Sequence, residues 1–258
     1  MDEDLSAIHT DATQALPHWL NSVVGQYVQA QEQVLYDQAV VDLFGFNALQ
    51  MGCFGTNLLR NSRIANRYIA SDRVEESCDL YCSDEFLPFP EMSLDVLLLP
   101  HRLEFSARPH QTLREAARVM MPEGYLLISG FNPLSAWGLW SAFKRHCSHH
   151  KSDLWQGKWI GLARLKDWLA LLGFEVVSVS MCCHVPPFES TTWHQRFSWT
   201  DKRNYMPKLG GVYFIVAKKR VVSMTPIKPK WKTRLGTGVI VNRQPSRKSQ
   251  PTASRKVK

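Results

Sequence analysis

The apolar run from Leu94 to Pro100 is the feature that most restricts how this 258-residue chain can fold. The run is apolar at every position after Asp95 and stops at a proline. Continuous apolar runs of this length are typical of strands that are buried on both faces of a parallel sheet. Proline ends such a strand because it has no backbone N–H to donate. We therefore predict that this run is the central strand of a parallel sheet.

Other segments alternate between strand-like and helix-like patterns along the chain. An α/β fold with a doubly wound, mostly parallel sheet is the arrangement that such alternation predicts. The predicted strands are a short run from Phe46 that ends before Gly52, then Arg67–Ser71, Asp79–Cys82, Tyr125–Ser129, Phe174–Met181 and Val212–Ala217. The clearest predicted helices are Thr112–Met120 and Ala163–Leu172, the second capped by Gly173.

The stretch Phe46–Gly55 has the pattern of a first strand followed by a glycine turn, with Gly52 and Gly55 three residues apart. We expect the turn to open a helix over 56–61. In open α/β sheets this turn is where a nucleotide-like cofactor lies, because glycine lets the backbone approach a ligand closely. Asp72 follows Gly52 by twenty residues, the spacing of a carboxylate that binds ribose hydroxyls, and Glu75 or Glu76 is the alternative.

Composition predicts three parts: N-terminal helices over 1–45, an α/β domain over 46–220 and a basic tail over 221–258. Residues 12–44 have apolar positions at helical spacing and predict two helices, broken at Gly25 and ending at Gly45, that cover the cofactor crevice. The tail carries ten Lys and Arg and no acidic residue, and its composition predicts flexibility. A basic tail of this kind is a candidate RNA-binding arm, with simple solubilisation as the alternative.

The charge and hydropathy patterns do not predict export or membrane insertion. No apolar run approaches the roughly 20 residues that span a bilayer, and the N-terminus is acidic where a signal peptide is basic. We therefore expect a cytoplasmic protein. The six cysteines show no repeated spacing, and the cluster His146, Cys147, His149 and His150 has no second ligand pair, so neither disulfides nor a metal site is predicted.

Two sequence blocks resemble class I S-adenosylmethionine-dependent methyltransferases of the small-molecule type 11 group. The first combines Leu87-Pro88-Phe89 with the segment 93–97, Ser-Leu-Asp-Val-Leu. The second is the run Leu-Arg-Glu-Ala-Ala-Arg-Val-Met-Met-Pro-Glu-Gly-Tyr-Leu-Leu-Ile over 113–128, which is similar to the family's specific "LREAxRVLxPGGxLxI" signature. The resemblance covers about 34–219.

The resemblance implies a Rossmann-like methyltransferase fold, a seven-stranded sheet whose last strand, Val212–Ala217, is antiparallel and inserted beside strand six. It implies S-adenosyl-L-methionine as cofactor and a small molecule as the methyl acceptor, and it gives no oligomeric state. The implied positions are Gly52 and Gly55 beside the methionine part, Asp72 at the ribose, Ser83, Asp84 and Glu85 near the adenine, and Pro100 and His101 near the reacting methyl.

Two positions depart from the family's cofactor loop. Gln50 stands where the family has Asp or Glu, so the amino group of the cofactor would lose a charged partner. Phe54 stands where a glycine is expected, and its ring could stack on the cofactor or close the pocket. Ser83 aligns with an acid of the family, so Asp84 would have to replace it. These departures leave a catalytically inactive binding module as the alternative function.

Polar residues at strand ends are the candidates for chemistry, because methyl transfer needs an aligned nucleophile, a dry site and sometimes a base. His101 could act as the base and Asn132 could orient a substrate, although Asn132 to Ser135 is also an ordinary turn and helix cap. Six tryptophans could line an aromatic substrate pocket or form a structural lid; these are Trp137, Trp140, Trp155, Trp159, Trp193 and Trp199.

Overall fold

The computed structural model describes residues 16, 19–52, 56–72, 78–147, 157–185 and 209–220, with only the backbone described over 143–147. Two compact units divide the chain, Met1–Val222 and Ser223–Lys258. The second unit, and with it the predicted RNA-binding tail, lies outside the described residues. So do Phe54, Gly55, Trp155, Trp193, Trp199, His149, His150 and the side chains of His146 and Cys147.

Seven strands and five helices are described in the first unit. The strands are β1 Asn47–Met51, β2 Asn66–Ser71, β3 Leu80–Tyr81, β4 Leu94–Pro100, β5 Met120–Phe131, β6 Phe174–Cys182 and β7 Val212–Lys219. The helices are α1 Val23–Val41, α2 Arg102–Phe105, α3 Pro109–Val119, α4 Ala136–Cys147 and α5 Leu162–Leu171. None of the described helices is both long and apolar enough to cross a membrane.

The strands form one sheet in the order β3-β2-β1-β4-β5-β7-β6. The first five in that order are parallel, and β7 lies antiparallel between β5 and β6. The doubly wound sheet with an inserted antiparallel last strand is therefore confirmed. The strand order reverses between β1 and β4, and in open α/β sheets ligands bind beyond the carboxyl ends of the strands at such a point.

Strand β4 has the buried central position that its composition predicts. Leu97 and Leu98, which point to opposite faces, are both fully buried. Asp95 is the second residue of β4. Its carboxylate accepts hydrogen bonds from the backbone N–H groups of Phe46 (2.8 Å) and Asn47 (3.0 Å). Asp95 therefore fixes where β1 begins relative to β4.

The two family-like sequence blocks contact each other directly. Glu115 on α3 accepts a hydrogen bond from the Leu87 N–H (2.9 Å), and Arg118 donates to the Leu87 and Phe89 carbonyls (3.1 and 2.9 Å). The two side chains also form an ion pair of 2.6 Å. Together they hold the segment 87–89 onto α3, so this part of the signature has a structural role.

Three local predictions are wrong. The helix predicted to end at Gly45 ends at Val41, and its C-cap is Asp42. Residues 58–61 form a turn and not a helix, because Asn57 Oδ1 accepts the Leu59 N–H (2.9 Å) and closes a local side-chain turn. The predicted helix break at Gly25 falls instead at Ser22, whose hydroxyl caps the Gly25 N–H (3.1 Å). A side chain at Gly25 would lie 2.3 Å from the Trp19 carbonyl, so glycine is needed there for close approach.

We predict that Arg118→Met lowers the free energy of unfolding by about 2 kcal/mol, because two backbone carbonyls and the buried Glu115 lose a charged donor. Urea denaturation measures the effect. Arg114→Met is the matched control, since Arg114 is exposed on the same helix and should change stability by less than about 0.5 kcal/mol. Equal losses of stability in Arg118→Met and Arg114→Met would contradict the structural role of Arg118.

Candidate active site

Strand β1 ends in a glycine turn, as its sequence predicts. Gly52 is buried and has φ 95°, a left-handed conformation that favours glycine. Its N–H donates to the Ala70 carbonyl of β2 (2.7 Å), so the turn stays attached to the neighbouring strand end. The rest of the loop, including Phe54 and Gly55, lies outside the described residues, and their predicted contacts with the cofactor stay predictions.

Gln50 hydrogen-bonds through its side chain to backbone groups of the glycine loop and of the residues that follow it. Its side chain is fully buried, and its amide nitrogen donates to the carbonyls of Gly52 and Thr56, each at 2.9 Å. Its amide oxygen accepts the Leu58 N–H (2.8 Å). A carboxylate could not donate to the two carbonyls, so the neutral amide suits this loop. These three hydrogen bonds give Gln50 a structural role that the family comparison of the sequence does not suggest.

His101 follows β4 at the expected end of the sheet, but its ring is enclosed by two carboxylates. Nδ1 lies 2.9 Å from Glu104 Oε2, and Nε2 lies 2.9 Å from Glu32 Oε1. All three side chains are buried. His101 is held in the left-handed region with φ 49°, a conformation that is uncommon for residues with a side chain.

The surroundings of His101 stabilise its protonated form. Burial by itself lowers the pKa of the imidazole, but the charges of Glu32 and Glu104 and their hydrogen bonds outweigh it and raise the pKa to about 10. A base must be unprotonated to accept a proton at neutral pH. The geometry therefore disfavours the predicted role of His101 as a general base and supports a structural charge that joins α1 and α2 to the end of β4.

Arg102 bridges two further carboxylates on the other side of the site. Its Nη1 lies 3.2 Å from Asp72 Oδ1, and its Nη2 lies 3.6 Å from Asp84 Oδ2. Asp72 is the predicted ribose ligand, and Asp84 is a predicted adenine ligand. The structure thus brings together two of the predicted site residues, from the ends of β2 and β3, through an arginine that the sequence analysis did not select.

The charge of Arg102 opposes the effect of burial on Asp84. Burial raises the pKa of the Asp84 carboxyl, while Arg102 acts in the opposite direction and favours the ionised form. Asp72 is less enclosed, with 31% of its side chain exposed to solvent. Ionised carboxylates are acceptors for the hydroxyl and amino donors of a nucleoside.

The other predicted residues lie at the edges of the site. Ser83 is exposed, and its hydroxyl accepts the Glu85 N–H (3.2 Å), so these two residues form a surface turn before the Leu87 segment. Pro100 lines a narrow cavity together with Gln50 and His101. Contact of these residues with a cofactor stays a prediction.

Asn132 forms part of a turn, as the alternative interpretation of the sequence proposed. Its amide nitrogen donates to the Gly210 carbonyl (3.0 Å), and its amide oxygen accepts the Leu134 N–H (3.0 Å). Ser135 caps α4 by accepting the Gly138 N–H (3.2 Å). Because these bonds use both ends of the amide, a substrate-orienting role for Asn132 is disfavoured.

Two of the predicted tryptophans, Trp137 and Trp159, have structural positions. Trp137 is fully buried and donates from its indole N–H to the Val185 carbonyl (2.7 Å). Trp159 stacks on Phe131 with ring centroids 4.9 Å apart, and Phe131 in turn contacts the His101 ring at 4.3 Å. The aromatic group therefore packs behind His101 as part of the core, the arrangement that the lid alternative predicts.

Sequence reasoning did not find Glu32, Glu104 or Arg102 as site residues. Glu32 lies 69 positions before His101, so no local spacing connects the two. Arg102 and Glu104 lie one and three positions after the predicted His101. Two charged residues so close to the apolar end of a central strand were the sequence signal that could have identified them. Only the fold shows that both are buried and that each joins elements distant in sequence.

Comparisons with known proteins agree with the fold. A family model described as "Methyltransferase domain" matches residues 49–128. The Escherichia coli (strain K12) protein YafS, described as uncharacterized, is 32% identical over 205 residues, covering 78% of this chain and 81% of YafS.

Two solved structures share the fold. A SAM-dependent methyltransferase from Archaeoglobus fulgidus is 18% identical, with a TM-score of 0.53, covering 74% of this chain and 94% of its own. A second, from Thermotoga maritima, is 16% identical, with a TM-score of 0.54, covering 80% of this chain and 99% of its own.

We predict that His101 is protonated throughout the physiological pH range and titrates near pH 10. A histidine pKa raised above its unfolded value of about 6.5 stabilises the fold fully below pH 6.5, and this contribution is lost as the pH rises towards 10. The loss should be on the order of 5 kcal/mol, because each pKa unit corresponds to about 1.4 kcal/mol. The NMR chemical shifts of the imidazole, assigned by comparison with His101→Gln, measure its pKa. Urea denaturation across this pH range measures the loss of stability. A midpoint near 6.5 would refute the enclosed ion-pair arrangement.

We predict that Gln50→Glu, which restores the acid of the family loop, lowers the free energy of unfolding by about 2–3 kcal/mol. The reason is that two carbonyls lose their donor and face a buried carboxylate. Urea denaturation checks this, with Gln26→Glu as control because Gln26 is exposed and its side-chain amide donates to the exposed Asn21 carbonyl. Unchanged stability of Gln50→Glu would show that the amide does not brace the loop.

Proposed function

The chain belongs to the class I methyltransferases of the type 11 group, and from this membership we propose that it is an S-adenosylmethionine-dependent methyltransferase that acts on a small molecule. The supporting observation is that Arg102 holds the Asp72 and Asp84 carboxylates together beside the glycine turn. These groups follow the carboxyl ends of β2, β3 and β4, at the end of the sheet where α/β folds bind ligands.

The residues at this edge fit an adenosine-containing cofactor. Asp72 would accept hydrogen bonds from the ribose hydroxyls, and Asp84 would accept a donor of the adenine. Gly52 has no side chain to block the methionine part. When bound, S-adenosylmethionine supplies an electrophilic methyl group on a positively charged sulfur.

Arg102 would act as a positioning residue for both carboxylates. Two carboxylates close together tend to share a proton, because like charges disfavour ionisation of both. A guanidinium between them keeps both oxygens available as acceptors. Without it, Asp84, which burial already favours in the neutral form, would lose its acceptor character first.

The chemistry would not depend on His101 as a base or on Asn132 as a substrate ligand. Methyl transfer needs mainly an aligned nucleophile and exclusion of water. The enclosed imidazolium and the aromatic group behind it provide rigid, dry walls at the end of β4.

A catalytically silent methyltransferase-like module is the second candidate. The bonding of Gln50 within the loop favours this candidate, because its amide makes three hydrogen bonds to the backbone of the protein, and the acid that the family uses here is missing. An RNA-binding role through 221–258 would be compatible with either candidate and rests on the charge of that segment alone.

We predict that the full-length protein binds S-adenosylmethionine and its demethylated product, and that Asp72→Asn weakens both at least about tenfold by removing a charged acceptor. Isothermal titration calorimetry measures the affinities. Asp42→Asn is the matched control, because Asp42 is exposed at the end of α1 and should leave affinity unchanged. If the unmodified protein binds neither compound, the silent module is the correct function.

A further inference from the structure

Two phenylalanine rings point into solvent where the chain enters β1. Phe44 and Phe46 are 69% and 76% exposed, although large apolar side chains are usually buried. The residue between them faces inward, because a side chain at Gly45 would lie 2.3 Å from Cβ of Asp95. Alternation of this kind places residues two apart on the same side of an extended chain. The two rings therefore share one outer surface, separated by about 7 Å of chain.

The segment that leads into β2 supplies positive charge. Residues 56–71 include Arg60, Arg63 and Arg67 and no acidic residue. Arg60 is neutralised by an ion pair with Asp37. Arg63 and Arg67 are both exposed, and neither forms an ion pair with any residue that the structure describes. Two positive charges are therefore available to an anion at this end of the sheet.

Contacts between the two segments join the rings and the arginines into one surface. The Arg63 guanidinium lies over the Phe44 ring, with Cζ 5.8 Å from the ring centroid. The Phe46 carbonyl accepts the N–H of Asn66 (3.1 Å), so the start of β2 lies alongside the start of β1. Arg67 follows directly on β2. We call Phe44, Phe46, Arg63 and Arg67 the amino-end patch, because the parallel strands β1 and β2 begin there.

We infer that the amino-end patch binds single-stranded nucleic acid. Proteins bind such strands by stacking the bases on aromatic rings and by placing cations along the phosphates. Here Phe44 and Phe46 would each stack one base, while Arg63 and Arg67 would pair with the phosphates. The patch lies at the end of the sheet opposite to the candidate active site, so this binding is separate from the proposed methyl transfer.

Other classes of partner fit the amino-end patch less well. Helices that lie on membranes bury a broad apolar face, whereas this patch has two rings on a short connection between α1 and β1. An acidic peptide would satisfy the arginines but would leave the flat faces of the rings without a matching partner. The net charge of +8 on the whole chain also favours a polyanion.

The first experiment measures binding of a fluorescein-labelled oligouridine to the full-length protein by fluorescence anisotropy. The double variant Phe44→Leu, Phe46→Leu removes both rings but keeps apolar side chains. It should weaken binding at least about tenfold, because the stacking of two bases is lost. Phe44→Trp keeps a ring, so it should bind within about twofold of the original and guards against a folding defect.

Phe86→Leu is the matched control for the rings, because Phe86 is an exposed aromatic residue that follows β3. This variant should leave the affinity for oligouridine unchanged. Equal affinities of the double variant and the original protein, or equal losses in the double variant and in Phe86→Leu, would overturn the inference.

The arginines predict a particular salt dependence. Arg63→Gln should lower the slope of log affinity against log salt concentration by about 0.7, the value expected for one phosphate contact on a single strand. Arg114→Gln is the matched control, since Arg114 is exposed on α3 and should leave the slope unchanged. The same slope in Arg63→Gln as in the original protein would overturn the inference.

Further arms identify the partner. Oligothymidine in place of oligouridine distinguishes DNA from RNA, and stronger binding of either than of inorganic polyphosphate supports base stacking. Binding of anionic phospholipid vesicles, but of neither oligonucleotide, would overturn the inference in favour of a membrane. Ultraviolet crosslinking to oligouridine with mass spectrometry should locate Phe44 or Phe46, and crosslinks confined to 223–258 would also overturn it. None of these measurements uses S-adenosylmethionine, so their outcome does not depend on the proposed function.

Discussion

Two consecutive cations, His101 and Arg102, hold together the end of the sheet where the site is formed. Each lies between two buried or partly buried carboxylates, and three of these four acids, Glu32, Asp72 and Asp84, lie before β4 in the chain. Removing one partner from a buried ion pair is strongly destabilising, because the remaining charge is left uncompensated. The helices α1 and α2 and the ends of β2 and β4 are therefore coupled through electrostatics as well as through apolar packing.

In the proposed function, the two charge groups would serve different halves of the site. The Arg102 group would hold the carboxylates that bind adenosine, and the His101 group would lie beside Pro100, near the reacting methyl. Because adjacent residues supply the two cations, a shift of the backbone after β4 would move both halves together. The left-handed conformation of His101 places the two side chains on their different partners, and its cost is offset by the ion pairs it permits.

The fold was predictable from sequence because its signals are local. The apolar run of β4, the glycine of the β1 turn and the block that contains Glu115 and Arg118 each indicate their structure within a few residues. For the site, the sequence predicted at which end of the sheet it lies, but not which of its charged side chains pair with each other. The protonation of His101 depends on Glu32, which no spacing rule connects to it. In place of the helix expected after Gly52 there is a turn closed by a side-chain hydrogen bond of Asn57, which helix propensities do not take into account.

The bonding of Gln50 has a consequence for how a ligand would meet the loop. Its amide fixes Gly52, Thr56 and Leu58 through neutral hydrogen bonds, which form when the chain folds and not when a ligand arrives. Because Gly52, Thr56 and Leu58 are already held in place, a ligand would not have to order these residues, and the entropic cost of binding would be lower. The chain thus exchanges an electrostatic attraction, available to an acid at position 50, for three backbone positions that are fixed in advance. Neutral hydrogen bonds of this kind should respond weakly to salt and pH.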